Sequence, residues 1–117
     1  MILFQVENPT FLDVFLFLAA GHFLADYPLQ TDKIAVEKCP GKDLTLSWKW
    51  WLTAHAGTHA FFVGLVTGQP LLLASEWLLH FVIDFSKCKR MFNLTVDQCL
   101  HLFCKLVWAY LAVYKLQ

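Results

Sequence analysis

All five histidines of the chain have an aspartate or a second histidine four residues away: His22 with Asp26, His55 with His59, His80 with Asp84, and His101 with Asp97. Four residues along an α-helix bring two side chains onto one face, about 5–6 Å apart. Imidazole nitrogens and carboxylate oxygens at that separation can bind one metal ion or bridge two. The spacing therefore predicts a metal site built from helices.

Chance explains this spacing poorly. Aspartate, glutamate and histidine make up 14 of the 117 residues, so a given histidine finds such a neighbour by accident in about one case in five. Taken singly, each histidine could be a hydrogen-bonded packing group, and Asp26 and Asp84 could orient imidazoles or face water at helix ends. The four pairs together favour metal binding, because buried charge without a partner costs several kcal/mol.

The elements that would position these pairs are four predicted helices, over residues 9–27, 47–66, 71–85 and 95–114. Asn8 and Thr95 are candidate N-caps, Pro28 ends the first helix, and the turn at residues 67–70 separates the second from the third. Residues 31–46 form a polar loop. Because no stretch alternates with a period of two, no sheet is expected. The predicted fold class is all-α, a single antiparallel four-helix bundle over residues 1–117.

The composition favours a membrane. Hydrophobic residues make up 58% and charged residues 15% of the chain, against about 45–50% and about 25% in soluble domains. Seven basic residues lie in two of the connections: Lys33, Lys38, Lys42, Lys49, Lys87, Lys89 and Arg90. By the positive-inside rule both connections face the cytoplasm and both termini face away, with only Lys115 against this. We expect a small integral membrane bundle, with the lipid bilayer as partner.

The pairs fall on the same side of the two basic connections. HFLAD (22–26) and HFVID (80–84) end the first and third helices, and HAGTH (55–59) and DQCLH (97–101) begin the second and fourth. An antiparallel bundle brings all eight side chains to one level, near its cytoplasmic end. The chain then consists of two similar helical hairpins, and a pseudo-twofold axis between them would suit a dinuclear centre.

Other polar residues complete the expectation. Gln30 and Gln98 lie beside the candidate ligands and Lys87 follows them, so these three could orient the ligands from behind. Cys39, Cys88, Cys99 and Cys104 have neither metal-site nor secreted-framework spacing and are predicted to be reduced thiols. Trp48, Trp50 and Trp51 are typical of an interfacial anchor.

The ligand types suit zinc, with manganese or iron as alternatives. Two such ions can activate a water molecule and bind the attacking and leaving oxygens of a phosphoester. The predicted function is therefore a metal-dependent hydrolase, with Asp26, Asp84 and Asp97 as candidate catalytic carboxylates. An anionic lipid or a nucleotide is the expected substrate, drawn by the basic connections. No nucleic-acid-binding motif is present, and a homo-oligomer stays open.

The order HxxxDYPLQ (22–30), HxxxH (55–59), HFxxDF (80–85) and DQxxH (97–101) resembles the family DUF3307 of bacteria and their phages, over nearly the whole chain. The resemblance implies an integral protein of the bacterial inner membrane and assigns no activity. HxxxD and paired histidines on helices are also loosely similar to membrane-bound metal-dependent hydrolases and to the all-α zinc phospholipases C, a likeness that implies phosphoester hydrolysis.

Three alternatives stay open. Metal-ion binding or transport without catalysis would use the same ligands, although transport needs polar residues across the whole bundle and the helices are predicted to be apolar away from the site. A di-iron protein would favour Glu-x-x-His ligands, and none of Glu7, Glu37 and Glu76 has that spacing. A haem held by His55 and His101 would leave the aspartates without a role.

Overall fold

The computed structural model describes residues 6–116, which form five helices: α1 (Phe11–Asp26), α2 (Asp32–Glu37), α3 (Trp48–Thr67), α4 (Pro70–Cys88) and α5 (Leu94–Tyr114). No strand occurs in these residues, so the all-α prediction is confirmed. The prediction of four helices was incomplete, because the polar segment 31–46 contains the short helix α2.

Side chains set the helix starts. Thr10 forms a capping box with Asp13 at the start of α1, in place of the predicted cap Asn8, and Asn93 caps α5 two residues before the predicted Thr95. Gly68 ends α3 with φ 69°, a left-handed conformation that glycine adopts without steric cost. Pro70 then occupies the first turn of α4, where its missing N–H is not needed.

The four long helices pack in the cyclic order α1, α3, α4, α5, and α2 lies against α3. The α3–α4 interface is close at Gly64, where an added Cβ would lie 2.5 Å from Leu73 Cδ1. One end of the bundle has an apolar core, formed by Val14, Leu18, Val63, Val66, Leu72, Trp108 and Ala109. The other end is filled by the histidines and carboxylates.

The outer surface of the long helices carries many large apolar side chains. Leu16, Phe61, Leu78 and Phe103 are each more than half exposed, one on each helix. At the site end, the imidazole and charged groups therefore lie inside the bundle, while large apolar side chains lie on its outer surface.

Within residues 6–116, α5 is the one helix long and apolar enough to cross a membrane, a property that core helices of soluble proteins share. Its 21 residues span about 31 Å at about 1.5 Å per residue, close to the thickness of a bilayer core. The inward polar residues of α3 and α4 lower the mean hydropathy of those helices. Four membrane spans therefore stay a prediction.

A disulfide joins Cys39, just after α2, to Cys88 at the end of α4, with the two Cα atoms 5.3 Å apart. In the structure this pair is oxidised, which differs from the prediction of reduced thiols; its members are 49 residues apart in sequence. Cys99 and Cys104 are free.

Candidate metal centre

Four imidazoles meet at one level of the bundle, each from a different long helix. The ring centroids of His22, His59, His80 and His101 form a four-sided figure with sides of 5.0, 3.7, 4.0 and 5.3 Å. Both diagonals, from His22 to His80 and from His59 to His101, are 6.3 Å. All four side chains are fully buried.

This arrangement has an approximate twofold symmetry that relates the two hairpins. In the first hairpin His59 Nε2 lies 2.9 Å from Asp26 Oδ1, and in the second His101 Nε2 lies 2.9 Å from Asp84 Oδ1. The repeated HFxxD motif therefore places each carboxylate against the last histidine of the following helix. The equal distances support the interpretation of the chain as two related hairpins.

His55 lies between the two halves. Its Nε2 is 3.2 Å from Asp26 Oδ1 and 3.3 Å from Asp84 Oδ2, without hydrogen-bond geometry to either oxygen. A ring nitrogen close to two carboxylates in a buried space is an arrangement that a shared cation could use.

Six of the eight predicted ligands form two overlapping groups whose ligand atoms lie within 4.8 Å of one another: Asp26, His55, His59 and His80, and then His80, Asp84 and His101. The groups share His80. The structure does not place the other two predicted ligands, His22 and Asp97, in either group. His22 Nε2 bonds to Gln98 Oε1 at 2.9 Å, and Asp97 Oδ1 lies 3.3 Å from His101 Nε2.

Several buried atoms at this level have no hydrogen-bond partner: His22 Nδ1, His55 Nε2, His59 Nδ1, His80 Nε2 and Asp97 Oδ1. Buried polar atoms in folded proteins are satisfied in about nine cases out of ten or more. A cation that used some of these five atoms as ligands would account for them.

The residues predicted to support the ligands differ in what they do. Gln98 Nε2 donates to Asp26 Oδ2 at 2.8 Å and to Asp97 Oδ2 at 3.2 Å. Gln30 Nε2 donates to the main-chain oxygen of Asp26 at 3.0 Å. The lysine that reaches the site is Lys38, whose Nζ lies 2.8 Å from Asp84 Oδ2. No hydrogen bond or ion pair joins Lys87 to the described residues of the site, and the role predicted for Lys87 stays a prediction.

Sequence reasoning also missed a buried pair one helical turn deeper. Glu76 Oε1 accepts from Lys105 Nζ at 2.6 Å, and Glu76 Oε2 accepts from Trp108 Nε1 at 2.6 Å. Both charged side chains are 1% exposed. The four-residue interval could have found them, since Glu76 precedes His80 and Lys105 follows His101 by that interval. The expectation of purely apolar helices beyond the site was wrong at this level.

Buried carboxylates outnumber buried ammonium groups. Asp26, Asp84, Asp97 and Glu76 lie in the bundle interior, Glu37 is a further buried carboxylate in α2, and Lys38 and Lys105 are the buried lysines. With neutral imidazoles, negative charge is therefore in excess. A divalent cation or protonated imidazoles would balance this excess.

Fold and site together define a class: an all-α bundle around a buried histidine–carboxylate cluster with the composition of a metal centre. Residues 14–117 match the family model described as protein of unknown function, DUF3307, and the chain belongs to this family. No curated protein and no solved structure matches the chain. The family resemblance is thereby confirmed, while the likeness to hydrolases receives no support from these comparisons.

Proposed function

We propose that this protein is a membrane-embedded metal-dependent hydrolase that acts on a phosphoester of an anionic lipid or a nucleotide. The observation that carries the metal proposal is the cluster of six candidate ligands within two overlapping 4.8 Å groups. The unsatisfied buried nitrogens and the excess of buried carboxylates over buried lysines support it. Zinc suits the imidazole and carboxylate donors, and manganese or iron would accept the same set.

The residues around the cluster fit hydrolysis. A bound divalent ion would lower the pKa of a water molecule and polarise a phosphoryl oxygen. Asp26 and Asp84 are held by histidines, whereas Asp97 Oδ1 is buried without a hydrogen-bond partner and is therefore a candidate proton acceptor. Lys38 brings a positive charge beside Asp84, where it could bind a phosphate oxygen.

The proposed location is the bilayer of a bacterial inner membrane, with all four long helices as spans and the site near the cytoplasmic face. The exposed leucine and phenylalanine side chains on these helices support it, because water would disfavour so large an apolar surface. Lys33, Lys42, Lys89 and Arg90 lie at the surface of the same end, where they could attract an anionic headgroup. Both termini are proposed to lie on the far side. A homo-oligomer also stays a proposal, and no surface is assigned to it.

A second candidate function is metal-ion binding or transport without catalysis. The buried Glu76–Lys105 pair favours it, because it extends the polar interior one turn beyond the histidines. Against transport, Trp108 closes this extension and the apolar core follows it. Because the polar interior does not continue to the far end of the bundle, hydrolysis is preferred over transport.

The test is elemental analysis of detergent-purified protein after dialysis against a weak chelator, with His55→Ala and His80→Ala beside the wild type and Lys49→Ala as the exposed control. We expect about one or two equivalents of zinc, manganese or iron in the wild type and control, and a loss in both histidine variants. A metal-free wild type, with both histidine variants as stable as it, would show that the histidines are structural.

The loaded protein is then assayed with a phosphodiester lipid and with a nucleotide. Release of phosphate product by the wild type and not by His80→Ala supports the hydrolase proposal. Stoichiometric metal without hydrolysis of either substrate favours the binding or transport alternative.

A further inference from the structure

Glu76, His80 and Asp84 lie on one face of α4 at successive four-residue intervals, all three buried. His80 Nδ1 lies 3.2 Å from Glu76 Oε1, and His80 Nε2 lies 3.5 Å from Asp84 Oδ2. The Nδ1 contact is a hydrogen bond, whereas Nε2 has no hydrogen-bond partner. A carboxylate can only accept, so the neutral His80 ring carries its proton on Nδ1 and leaves the Nε2 lone pair for a cation.

Glu76 is held in turn by two further donors. Lys105 Nζ contacts Oε1 and Trp108 Nε1 contacts Oε2, each at 2.6 Å. Donors from three residues therefore occupy both carboxylate oxygens, which leaves Glu76 unsuited to be a ligand itself. Such carboxylate–histidine–metal arrangements fix the ring orientation and raise the basicity of the ligand.

The first hairpin has no carboxylate at the position equivalent to Glu76. Four residues before His22 stands Leu18, which is buried and apolar. His22 Nδ1 accordingly has no partner, and its Nε2 is taken by Gln98. The two HFxxD motifs are therefore unequal: His80 offers a free Nε2 and belongs to both candidate ligand groups, whereas His22 belongs to neither.

We propose that Glu76 is a positioning residue for the metal centre, which holds His80 in the Nδ1–H tautomer and directs Nε2 into the cluster. Lys105 and Trp108 fix Glu76, and the second hairpin thereby becomes the half around which the metal assembles. This inference rests on the proposed metal binding. It adds that Glu76, Lys105 and Trp108 orient His80, the ligand shared by the two groups.

The test compares two double variants that remove the buried charge pair together: Glu76→Leu/Lys105→Met and Glu76→Gln/Lys105→Met. Removing both charges avoids a lone buried charge, which would unfold the protein for an unrelated reason. The glutamine variant keeps an oxygen that can accept from His80 Nδ1, and the leucine variant does not. Folding is checked by circular dichroism.

Zinc affinity is measured by competition with a chelator, and the visible spectrum of the cobalt-loaded protein reports ligand geometry. We expect the leucine variant to bind zinc about 10–100-fold more weakly, with an altered cobalt spectrum. The glutamine variant should stay close to the wild type. Two folded variants that both bind zinc as the wild type does would overturn the role of Glu76.

A readout without metal accompanies this test. In metal-free wild-type protein with ¹⁵N-labelled histidine, nitrogen chemical shifts should show the Nδ1–H tautomer for His80, assigned with a His80→Gln variant. An Nε2–H tautomer overturns the proposal whatever the metal data show. If the wild type binds no zinc, the metal proposal fails, and the proposed role of Glu76 in metal binding fails with it. If the wild type binds zinc and both variants match it, only the Glu76 proposal fails.

Discussion

Lys38 and Asp84 form an ion pair at the edge of the cluster, with side chains 10% and 4% exposed. Asp84 also contacts His101 and lies near His55. Removing one member of a buried ion pair leaves the other charge without compensation, which costs about 3–5 kcal/mol. A divalent cation in the cluster would supply the same counter-charge to Asp84.

Because Lys38 and a bound cation would both compensate the charge of Asp84, the variant Lys38→Met gives a prediction. The metal-free variant should be less stable than the wild type by about 3 kcal/mol, because Asp84 loses its ammonium partner. Saturating zinc should stabilise the variant more than the wild type, because the ion replaces the lost charge. Thermal or denaturant unfolding in detergent, with and without zinc, measures both effects.

The control is Lys42→Met, which removes an exposed lysine from the same connection. It should change neither the stability nor the response to zinc. Equal stabilisation of wild type and Lys38→Met by zinc would show that the ion does not reach Asp84.

At the residue scale, much of the cluster could be predicted from the sequence, because the four-residue interval is a local property of a helix. It identified the five histidines and three aspartates that the structure gathers at one level. The contact of Lys38 with Asp84 was not predicted. The two residues are 46 positions apart in sequence, and only the packing of the segment after α1 against the bundle brings them together. The basic residue counted as a topological signal is buried in the site.

At the scale of elements, α2 and the segment after it are held by Glu37. Its Oε1 accepts from the backbone N–H groups of Leu44 and Thr45, both at 2.7 Å, and from the Thr45 hydroxyl at 2.9 Å. The backbone N–H of Thr45 is the largest cause that holds the pKa of Glu37 below its ordinary value of 4.5. The neighbouring Lys38 depends on this closed segment for its position.

The lowered pKa makes a pH-dependent prediction for Glu37→Gln. A carboxyl with a lowered folded-state pKa stabilises the fold above its ordinary pKa, and loses this effect as pH falls through the folded-state value. The wild type should therefore be more stable than the variant at neutral pH. The difference should shrink below the ordinary value of 4.5 and vanish at lower pH. Unfolding temperatures of both proteins across that range provide the measurement.

Glu7→Gln is the matched control, because Glu7 is exposed and lies outside the helices. Its stability relative to the wild type should not change with pH. A Glu37→Gln difference that persists unchanged in acid would show that the loop does not depend on the ionised carboxyl.

The long helices could be predicted from apolar runs, Pro70 and the turn at Gly68, since these features act within a few residues. The short helix α2 could not, because six residues are too few to show a helical period. It is held by Thr31 and Glu37. The Cys39–Cys88 disulfide was missed for a related reason: only the packed bundle brings the end of α4 to the connection after α2.

At the scale of the whole molecule, two features disagree about orientation. By the positive-inside rule, the basic residues of the two connections predict that the site end faces the cytoplasm. The disulfide lies at the same end, and disulfides persist mainly in oxidising compartments. We give the basic residues more weight, because they act during insertion and outnumber the single opposing Lys115. The cysteine pair should then be reduced in the cell and should oxidise after extraction.

This orientation is tested with fusions after the last residue and within the exposed turn at Gly41 in a bacterial host. Alkaline phosphatase, which needs an oxidising compartment, should be active on the C-terminus and inactive at Gly41. A fluorescent protein that matures in the cytoplasm should show the opposite pattern. Gly41 lies at the site end of the bundle, whereas the C-terminus follows α5, which runs from the site end to the far end. Alkylation of cells before lysis should label Cys39 and Cys88 as thiols. Phosphatase activity at Gly41 together with unlabelled cysteines would reverse the orientation and place the metal centre at the outer face of the membrane.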